Sequence, residues 1–407
     1  MVRLMAPLSL LKPAKILVVG DLMLDRYTMG KASRISPEAP VPVLHVKKEL
    51  SLPGGAGNVA LNLVSLGQEV VLVGRYGLDS AGRELAEALK SEGINTRGLF
   101  ADDQFQTPIK NRIIADSQQM IRIDHEEISL LSQSLEKKIL EAFPELLEGV
   151  KVVAISDYAK GFLSKGLLAG IIAEAKKRNI LVIADPKGAD FQKYRGATVL
   201  KPNLKEAYAA SKMPLEATLD EVAQKLLEIA EIEELLVTRS EAGISIFNRT
   251  LRRDYPVKSK EVKDVTGAGD TVLAACAAAL ASDLTLDQAA ELANIAASIV
   301  VEHVGCARVS LAEMAARLLD EHASHKIIEP PLKEAFHFAL KGRPHTIIEL
   351  SCQATFDNLL FQQIQKAKTS PIHTLVMSVP ASPACPDLIP MLTSLREVDF
   401  VLKGGSA

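Results

Sequence analysis

The run Asp264-Val265-Thr266-Gly267-Ala268-Gly269-Asp270-Thr271 carries the clearest chemistry in the chain, and it opens into an Ala-rich apolar helix over Val272–Ala281. Small residues at 267–269 let backbone amides come close to a ligand. A helix N-terminus adds unbonded N–H groups and the positive end of its dipole, and together these make an anion hole. A carboxylate beside such a hole repels the anion, which is an odd place for a structural residue. It suits a base that takes a proton from a hydroxyl attacking a bound phosphoryl group. Gly-rich turns before helices are common, so the glycines alone say little. Asp264 before them and Asp270 directly after give the run its catalytic reading, with Asp270 the base and Gly267, Ala268 and Gly269 the cradle.

A second small-residue run, Pro53-Gly54-Gly55-Ala56-Gly57-Asn58, leads into a helix over Val59–Leu66. Backbone approach plus the Asn58 amide suits a polyhydroxylated ligand. Asp21 and Asp25 are acceptors for hydroxyl donors, although each taken alone reads first as a turn or cap residue. A third run is Lys201-Pro202-Asn203-Leu204-Lys205-Glu206. Asn203 and Glu206, at i and i+3, can share one face of a helix start. There they can order the water shell of Mg²⁺, which keeps its waters when it bridges phosphates. An Asn N-cap with Glu at N3 is the structural alternative, and the two can coexist.

The elements that must hold these residues are legible as well. Lys15–Val19, Val70–Val73, Val152–Ser156, Leu181–Asp185, Val199–Lys201 and Leu235–Thr238 are short, apolar and β-branched, as buried parallel strands are. Helical stretches lie between them, such as Ala81–Ser91, Lys165–Arg178 and Leu219–Ala230. Alternation of this kind predicts an α/β domain, doubly wound around a mostly parallel sheet, whose ligands sit beyond the carboxyl ends of the strands. Asp21, Asp157, Asp185, Asn203 and Thr238 fall at those ends, and so many polar residues on one edge are better explained by a site than by capping. Residues 27–46 and 107–124 break the pattern with short β-branched segments that read as antiparallel strands outside the main sheet. A small lid is their natural use, and a surface hairpin without function is the alternative.

Near Asp320 the pattern decays into Glu321-His322-Ala323-Ser324-His325-Lys326 and then Glu329-Pro330-Pro331, which reads as a linker over 321–340. His322 and His325 lack companion ligands, so a solvated tether is the expectation there rather than a metal site. Residues 341–407 form a short second segment. In the whole chain of 407 residues, 47 Lys and Arg against 50 Asp and Glu give a net charge of −3. That balance argues against a nucleic-acid or anionic-membrane surface. The cysteines (Cys276, Cys306, Cys352, Cys385) form no C-x-x-C pair, and no run reaches the length of a membrane span or a signal segment. A cytoplasmic protein with reduced thiols is expected.

In order and spacing, the three motifs resemble the ribokinase-like, PfkB-type sugar kinases over about residues 12–320. Arg34-Ile35-Ser36-Pro37-Glu38-Ala39-Pro40-Val41-Pro42-Val43, Ser156-Asp157-Tyr158-Ala159-Lys160-Gly161, Ala184-Asp185-Pro186-Lys187 and Val237-Thr238-Arg239-Ser240-Glu241-Ala242-Gly243 resemble one branch of that family. This branch is the kinase part of the bifunctional heptose 7-phosphate kinase/heptose 1-phosphate adenylyltransferases of Gram-negative bacteria. The resemblance implies ATP and Mg²⁺ as cofactors, a heptose 7-phosphate as acceptor, and a heptose 1,7-bisphosphate product destined for the lipopolysaccharide inner core. Asp270 would be the base for the anomeric hydroxyl, with Gly267 and Gly269 around the γ-phosphoryl. Asp21, Asp25, Gly54, Gly55, Asn58 and Asp185 would stand on the sugar side. A sugar that already carries a phosphate needs cations, for which Lys110, Arg112, Arg122, Lys160 and Lys187 are candidates. A solvated surface role is the alternative for each of the three on the lid. The nucleotide would lie along Asn203, Glu206, Thr238, Ser240, Gly243 and Asn294, and Asn294 reads equally as the polar face of a helix. By the same analogy the lids would pair into a homodimer.

The second segment resembles the start of the family's adenylyltransferase domain, with Ile347-Ile348 as a strand, Phe361–Lys368 as a helix and Thr374–Val379 as the next strand. Where that family carries H-x-G-H to bind nucleotide phosphates, this chain has Asp357-Asn358-Leu359-Leu360. Both imidazoles and the glycine are absent, so a truncated, degenerate segment without adenylyl transfer is expected. Two alternatives to the heptose phosphate kinase remain at this stage. One is a PfkB-type kinase for another sugar or sugar phosphate. The other is a catalytically silent sugar- or nucleotide-binding regulator, against which the intact Asp270, cradle and Asn203/Glu206 pair argue.

Overall fold

The computed structural model describes residues 7–8, 10–116, 118–257, 262–303, 305–321, 326–330, 333–341, 343–351, 353–368, 370, 372–380 and 387–404. His322, His325, Cys352 and Cys385 lie outside the described residues. The chain divides into two compact units, Lys12–Val309 and a smaller one made of Met1–Leu11 with Ser310–Ala407.

In the larger unit the strands are β1 (Lys15–Gly20), β2 (Leu22–Ile35), β3 (Pro42–Gly55), β4 (Glu69–Gly77), β5 (Asn95–Asp102), β6 (Ile109–Ala115), β7 (Gln118–His125), β8 (Val150–Ser156), β9 (Leu181–Asp185), β10 (Val199–Leu200), β11 (Glu234–Thr238), β12 (Ile244–Phe247) and β13 (Arg252–Tyr255). Nine of them form one sheet in the order β13-β12-β11-β10-β9-β8-β1-β4-β5. It is parallel from β5 through β11 and ends in an antiparallel hairpin. Strand alternation sends Leu17, Val19, Val153, Ile155, Val182 and Leu235 to one face, where they pack with the helices Gln133–Leu146, Lys165–Lys177 and Leu219–Ala230. The intervening Ile16, Val18, Ala154 and Ile183 are equally buried. The helix Ala268–Ala281 runs against β1, β8 and β9, and its many alanines permit close approach. Each large apolar side chain buried in this way contributes roughly 1.5–3 kcal/mol.

The chain departs from and returns to this sheet to build a second one, in the order β3-β2-β6-β7. β2 with β3 and β6 with β7 are antiparallel, while β2 and β6 run parallel. β2 and β3 are 14 residues each, well beyond the segments predicted from sequence, and β7 is exposed throughout.

The smaller unit has its own parallel sheet, β14-β17-β16-β15, from β14 (Ile327–Ile328), β15 (His345–Glu349), β16 (Thr374–Val379) and β17 (Phe400–Lys403). This corrects the linker reading of 321–340. Ile327 and Ile328 pair with Val401 and Leu402, and Lys333–Leu340 is a helix whose Phe336 is fully buried. Among the described residues no helix is long and apolar enough to cross a membrane.

Candidate active site

The helix Ala268–Ala281 begins at N-cap Gly267, which has φ of 79°, a left-handed conformation that glycine adopts at little cost. No side chain caps this helix. The amides of Gly269 and Asp270, in its first turn, therefore have no intrahelical acceptor. Asp264 shapes the preceding turn by accepting from Thr266 N at 2.9 Å, Thr266 Oγ1 at 2.7 Å and Gly305 N at 2.9 Å. The sequence therefore folds here into an open helix end with Asp270 two residues inside it.

Asp270 is 3% exposed. Its Oδ2 accepts from Asn58 Nδ2 at 2.8 Å and its Oδ1 from the Tyr158 hydroxyl at 2.8 Å. Burial pushes the carboxyl up to about 7, against those two donors, which favour the charged form; the nearby Asp185 raises it and Lys201 lowers it. A carboxyl near neutrality is suited to accept a proton and release it again.

Asp21, expected on the sugar side, has its carboxylate engaged by a loop. It accepts from Tyr158 N at 2.8 Å, Lys160 N at 3.1 Å and Phe162 N at 3.3 Å. Arg75, fully buried and stacked 4.1 Å from the Phe105 ring centroid, holds the same loop from its carbonyl side by donating to Lys160 O at 3.3 Å and to Ser129 O. Between them they aim the Tyr158 hydroxyl at Asp270. Asp157, another strand-end carboxylate, is also structural and takes the Tyr194 hydroxyl at 2.6 Å.

Asp25 is buried in an ion pair with Arg112 and accepts from Cys306 Sγ at 3.6 Å. A Cβ on Gly54 would run into the Asp25 carboxylate, so glycine is needed there for space. Gly55 caps the helix Ala56–Ser65, which carries Asn58. Of the candidate cations, Lys110 Nζ lies 5.5 Å from the Tyr158 ring centroid. Burial, and then the charge of Lys160, hold Lys110 below its ordinary range. Lys160 pairs with Glu126 at 2.6 Å. Arg122 is exposed and bonds both oxygens of Asp124 at 2.7 and 2.8 Å. Lys187 is on the other side, bonded to Glu206 at 2.7 Å.

A cavity of about 270 Å³ opens beside the first turn, lined by Thr238, Ser240, Gly243, Ala268, Gly269 and Asn294 among others. Asn294 also donates to Tyr255 O at 2.8 Å, which fixes its amide. Asn203 and Glu206 form the capping box, with Asn203 Oδ1 accepting from Glu206 N at 2.9 Å and Glu206 Oε2 from Asn203 N at 3.0 Å. Glu206 Oε1 takes Lys187, and each oxygen of Glu206 keeps a lone pair for a water. That donor set fits a metal held through water.

Three residues were given no role in the sequence reading. Tyr158 and Lys201 stood in quoted motifs at strand ends, and that position was their signal. Cys306 had none. Lys201 is 2% exposed and lies 2.9 Å from Asp185 Oδ2.

Residues 13–313 match the pfkB family carbohydrate kinase description. Proteins named Bifunctional protein HldE are 45% identical over 313 residues in Trichlorobacter lovleyi and 47% over 310 residues in Geobacter metallireducens. Those matches cover 76% and 75% of this chain but only 63% of either relative, so the chain spans less than two thirds of the curated relatives it matches. The backbone follows an Arabidopsis thaliana ribokinase solved with ribose and ATP, with a TM-score of 0.58 at 21% identity over 75% of this chain and 99% of that one. The larger unit thus has the ribokinase-like α/β fold.

Proposed function

The chain belongs to the pfkB family of carbohydrate kinases, and on that premise we propose that it transfers the γ-phosphoryl group of ATP to the anomeric hydroxyl of D-glycero-D-manno-heptose 7-phosphate. The observation that carries the reaction type is Asp270, a buried carboxyl near neutrality at an uncapped helix end beside a cavity. The heptose rests on the motifs of the heptose kinase branch, with support from the 45–47% identity to the HldE proteins.

The sugar hydroxyl oxygen attacks the γ-phosphorus in line. As that P–O bond forms, the bond from γ-phosphorus to the bridging oxygen breaks, and ADP leaves with its electrons. Asp270 takes the hydroxyl proton on a lone pair that its two present donors leave free. The open amides of Gly269 and Asp270 meet the charge that develops on the phosphoryl oxygens. Asn203 and Glu206 would hold Mg²⁺ through water, and the ion would supply charge neutralisation at the phosphates. We assign the sugar's own phosphate to Lys110 and Lys160, whose charges act on each other, with Glu126 the anion it would share Lys160 with. Asp25 and Asn58 stand on the sugar side, while Asp21 acts at one remove by holding the loop of Tyr158.

We further read the protein as a cytoplasmic enzyme that supplies heptose 1,7-bisphosphate for lipopolysaccharide assembly. It would form a homodimer through the lid sheet, whose β7 exposes Ile121 and Ile123. ADP release with MgATP over a panel of heptose 7-phosphate, fructose 6-phosphate, ribose and no sugar tests the reading, with phosphorus NMR of the product. Turnover confined to the heptose phosphate, with a new anomeric phosphate, supports it. Turnover on another sugar keeps Asp270 and discards the heptose, and silence with ATP still bound discards the kinase.

A further inference from the structure

The parallel sheet of the smaller unit stops at β15. This strand pairs with β16 alone, in register from His345 with Thr374 to Glu349 with Ser378, and among the described residues no strand lies on its other side. Its middle, Thr346-Ile347-Ile348, is continuous and β-branched, the composition of a strand inside a parallel sheet. Yet those three residues are only half-buried, and His345 and Glu349 are exposed. The hydrogen bonds fix which backbone groups are left over. Thr374 N donates to Pro344 O at 2.8 Å, and Leu350 N to Ser378 O at 2.8 Å. Successive residues of a strand turn their N–H and C=O groups to opposite sides, so Pro344, Thr346, Ile348 and Leu350 serve the ladder with β16. The N–H and C=O groups of His345, Ile347 and Glu349 point away from it, and an unpaired row of this kind is a template for another strand.

We propose that β15 is an interface between two copies of this chain, which joins their small sheets antiparallel into one continuous sheet, whatever sugar the larger unit takes. A two-fold axis at Ile347 sets that residue opposite its own counterpart. His345 then faces Glu349 of the second copy, and Glu349 faces His345. Each of these is a hydrogen-bonded pair that exchanges both N–H···O bonds, so every outward group of the three residues finds a partner. Centring the contact on Thr346 or Ile348 instead carries one of the three past the end of β15. Charged side chains on a bare edge ordinarily keep copies apart. Here the antiparallel register brings a ring able to carry positive charge against a carboxylate, twice over. The same patch serves both copies, so the contact closes at two.

Sedimentation velocity of the full chain over a wide concentration range is the test. Ile347→Pro removes the N–H at the centre of the contact. That N–H takes no part in the ladder with β16, and proline is tolerated on such an edge, so the association should vanish with the small sheet intact. His345→Glu alters only an exposed side chain and sets like charges opposite each other at both ends, so the dissociation constant should rise roughly tenfold or more. H345E/E349K restores opposite charges in this register and should recover most of that loss. The wild type is expected one association step above I347P, as dimer against monomer, or as tetramer against dimer should the lids pair as well. Equal masses for the wild type and I347P overturn the proposal, and so does an H345E defect that E349K fails to rescue. The charge exchange decides by itself if I347P lowers thermal stability, because both exposed positions leave Ile347 in place.

Discussion

Two helices in this chain, one in each compact unit, differ in how they begin. In the larger unit the helix Ala268–Ala281 starts at Gly267 with no side chain on its first amides. In the smaller unit the helix Asn358–Ala367 starts at Asp357, whose own carboxylate accepts from Leu360 N at 2.8 Å. The layout supplies the positive end of a dipole in both cases. What occupies the cap decides whether that end is left for a ligand. Gly267 leaves it open and Asp357 closes it with a built-in anion. The smaller unit has a core of its own. Leu360, Ile364, Leu375, Met377, Val379, Leu392 and Val401 pack into it. A sheet and its helices therefore pack equally well around a helix start whose amide is taken by the chain's own carboxylate.

The comparison breaks most readily at Asp270. Replacing it with Asn keeps the shape and removes the proton acceptor, so kcat is expected to fall by roughly 10²–10⁴-fold. ADP affinity measured by calorimetry should change little. A D270N enzyme with near-normal turnover would make the open helix end a binding feature only. Next in size are Lys110 of the lid and Lys160 of the loop after β8. Substituting both Lys110 and Lys160 by Ala removes two charge-assisted contacts worth about 1.5–3 kcal/mol each, so KM for the sugar phosphate should rise at least tenfold. An equal rise for an unphosphorylated sugar would show that the lysines shape the pocket rather than meet a phosphate.

The sequence allowed much of this to be read, and for physical reasons. Buried parallel strands are continuous and β-branched, so β1, β8, β9 and β11 announce themselves. Gly267 to Asp270 are contiguous, so their chemistry is local. What depends on distant partners was not legible. Asp21 stands at the predicted strand end, but the amides that its carboxylate accepts from lie about 140 residues away, and only the fold reveals them. The same is true of Asp185, whose neighbour Lys201 comes from the next strand. Ile327-Ile328 is too short to show periodicity, and its pairing partner lies some seventy residues on, so a strand read as part of a tether. The length of β2 and β3 was hidden because their outer halves are exposed and carry no apolar rhythm.

A smaller effect follows from Tyr158. Its hydroxyl stabilises the charged form of Asp270, so Tyr158→Phe should raise that carboxyl further. Losing a hydrogen bond to a charged group is worth about 1.5 kcal/mol or more, which is about one pH unit. The base must be ionised to work, so turnover of the wild type is expected to rise with pH through about 7. In Y158F this limb moves upward, with a plateau close to the original. The groups facing Asp270 from the other elements, Asp185 and Lys201, are unchanged by the substitution. Stability runs in the opposite direction. Folded Asp270 holds its proton more tightly than the unfolded chain does, so this group favours the fold increasingly as pH falls from about 7 toward 4. An unmoved acid limb in Y158F would assign that limb to another group.

The smallest expected effect tests the closed helix end itself. Asp357→Ala removes the cap and should cost roughly 1 kcal/mol, the usual scale for losing an N-cap side chain. Hydrogen exchange is the sensitive readout, because the loss is local to the helix Asn358–Ala367. There a change of about 1 kcal/mol speeds exchange by roughly fivefold. Asp357→Ser keeps a hydroxyl acceptor for Leu360 N and should restore protection, which separates capping from charge. Neither variant should alter kinase turnover, because Asp270, its donors and the cavity all belong to the unit Lys12–Val309. Were D357A to slow the kinase while D357S did not, the second helix end would be coupled to the first, and the two regions could no longer be treated as one active and one silent use of the same architecture.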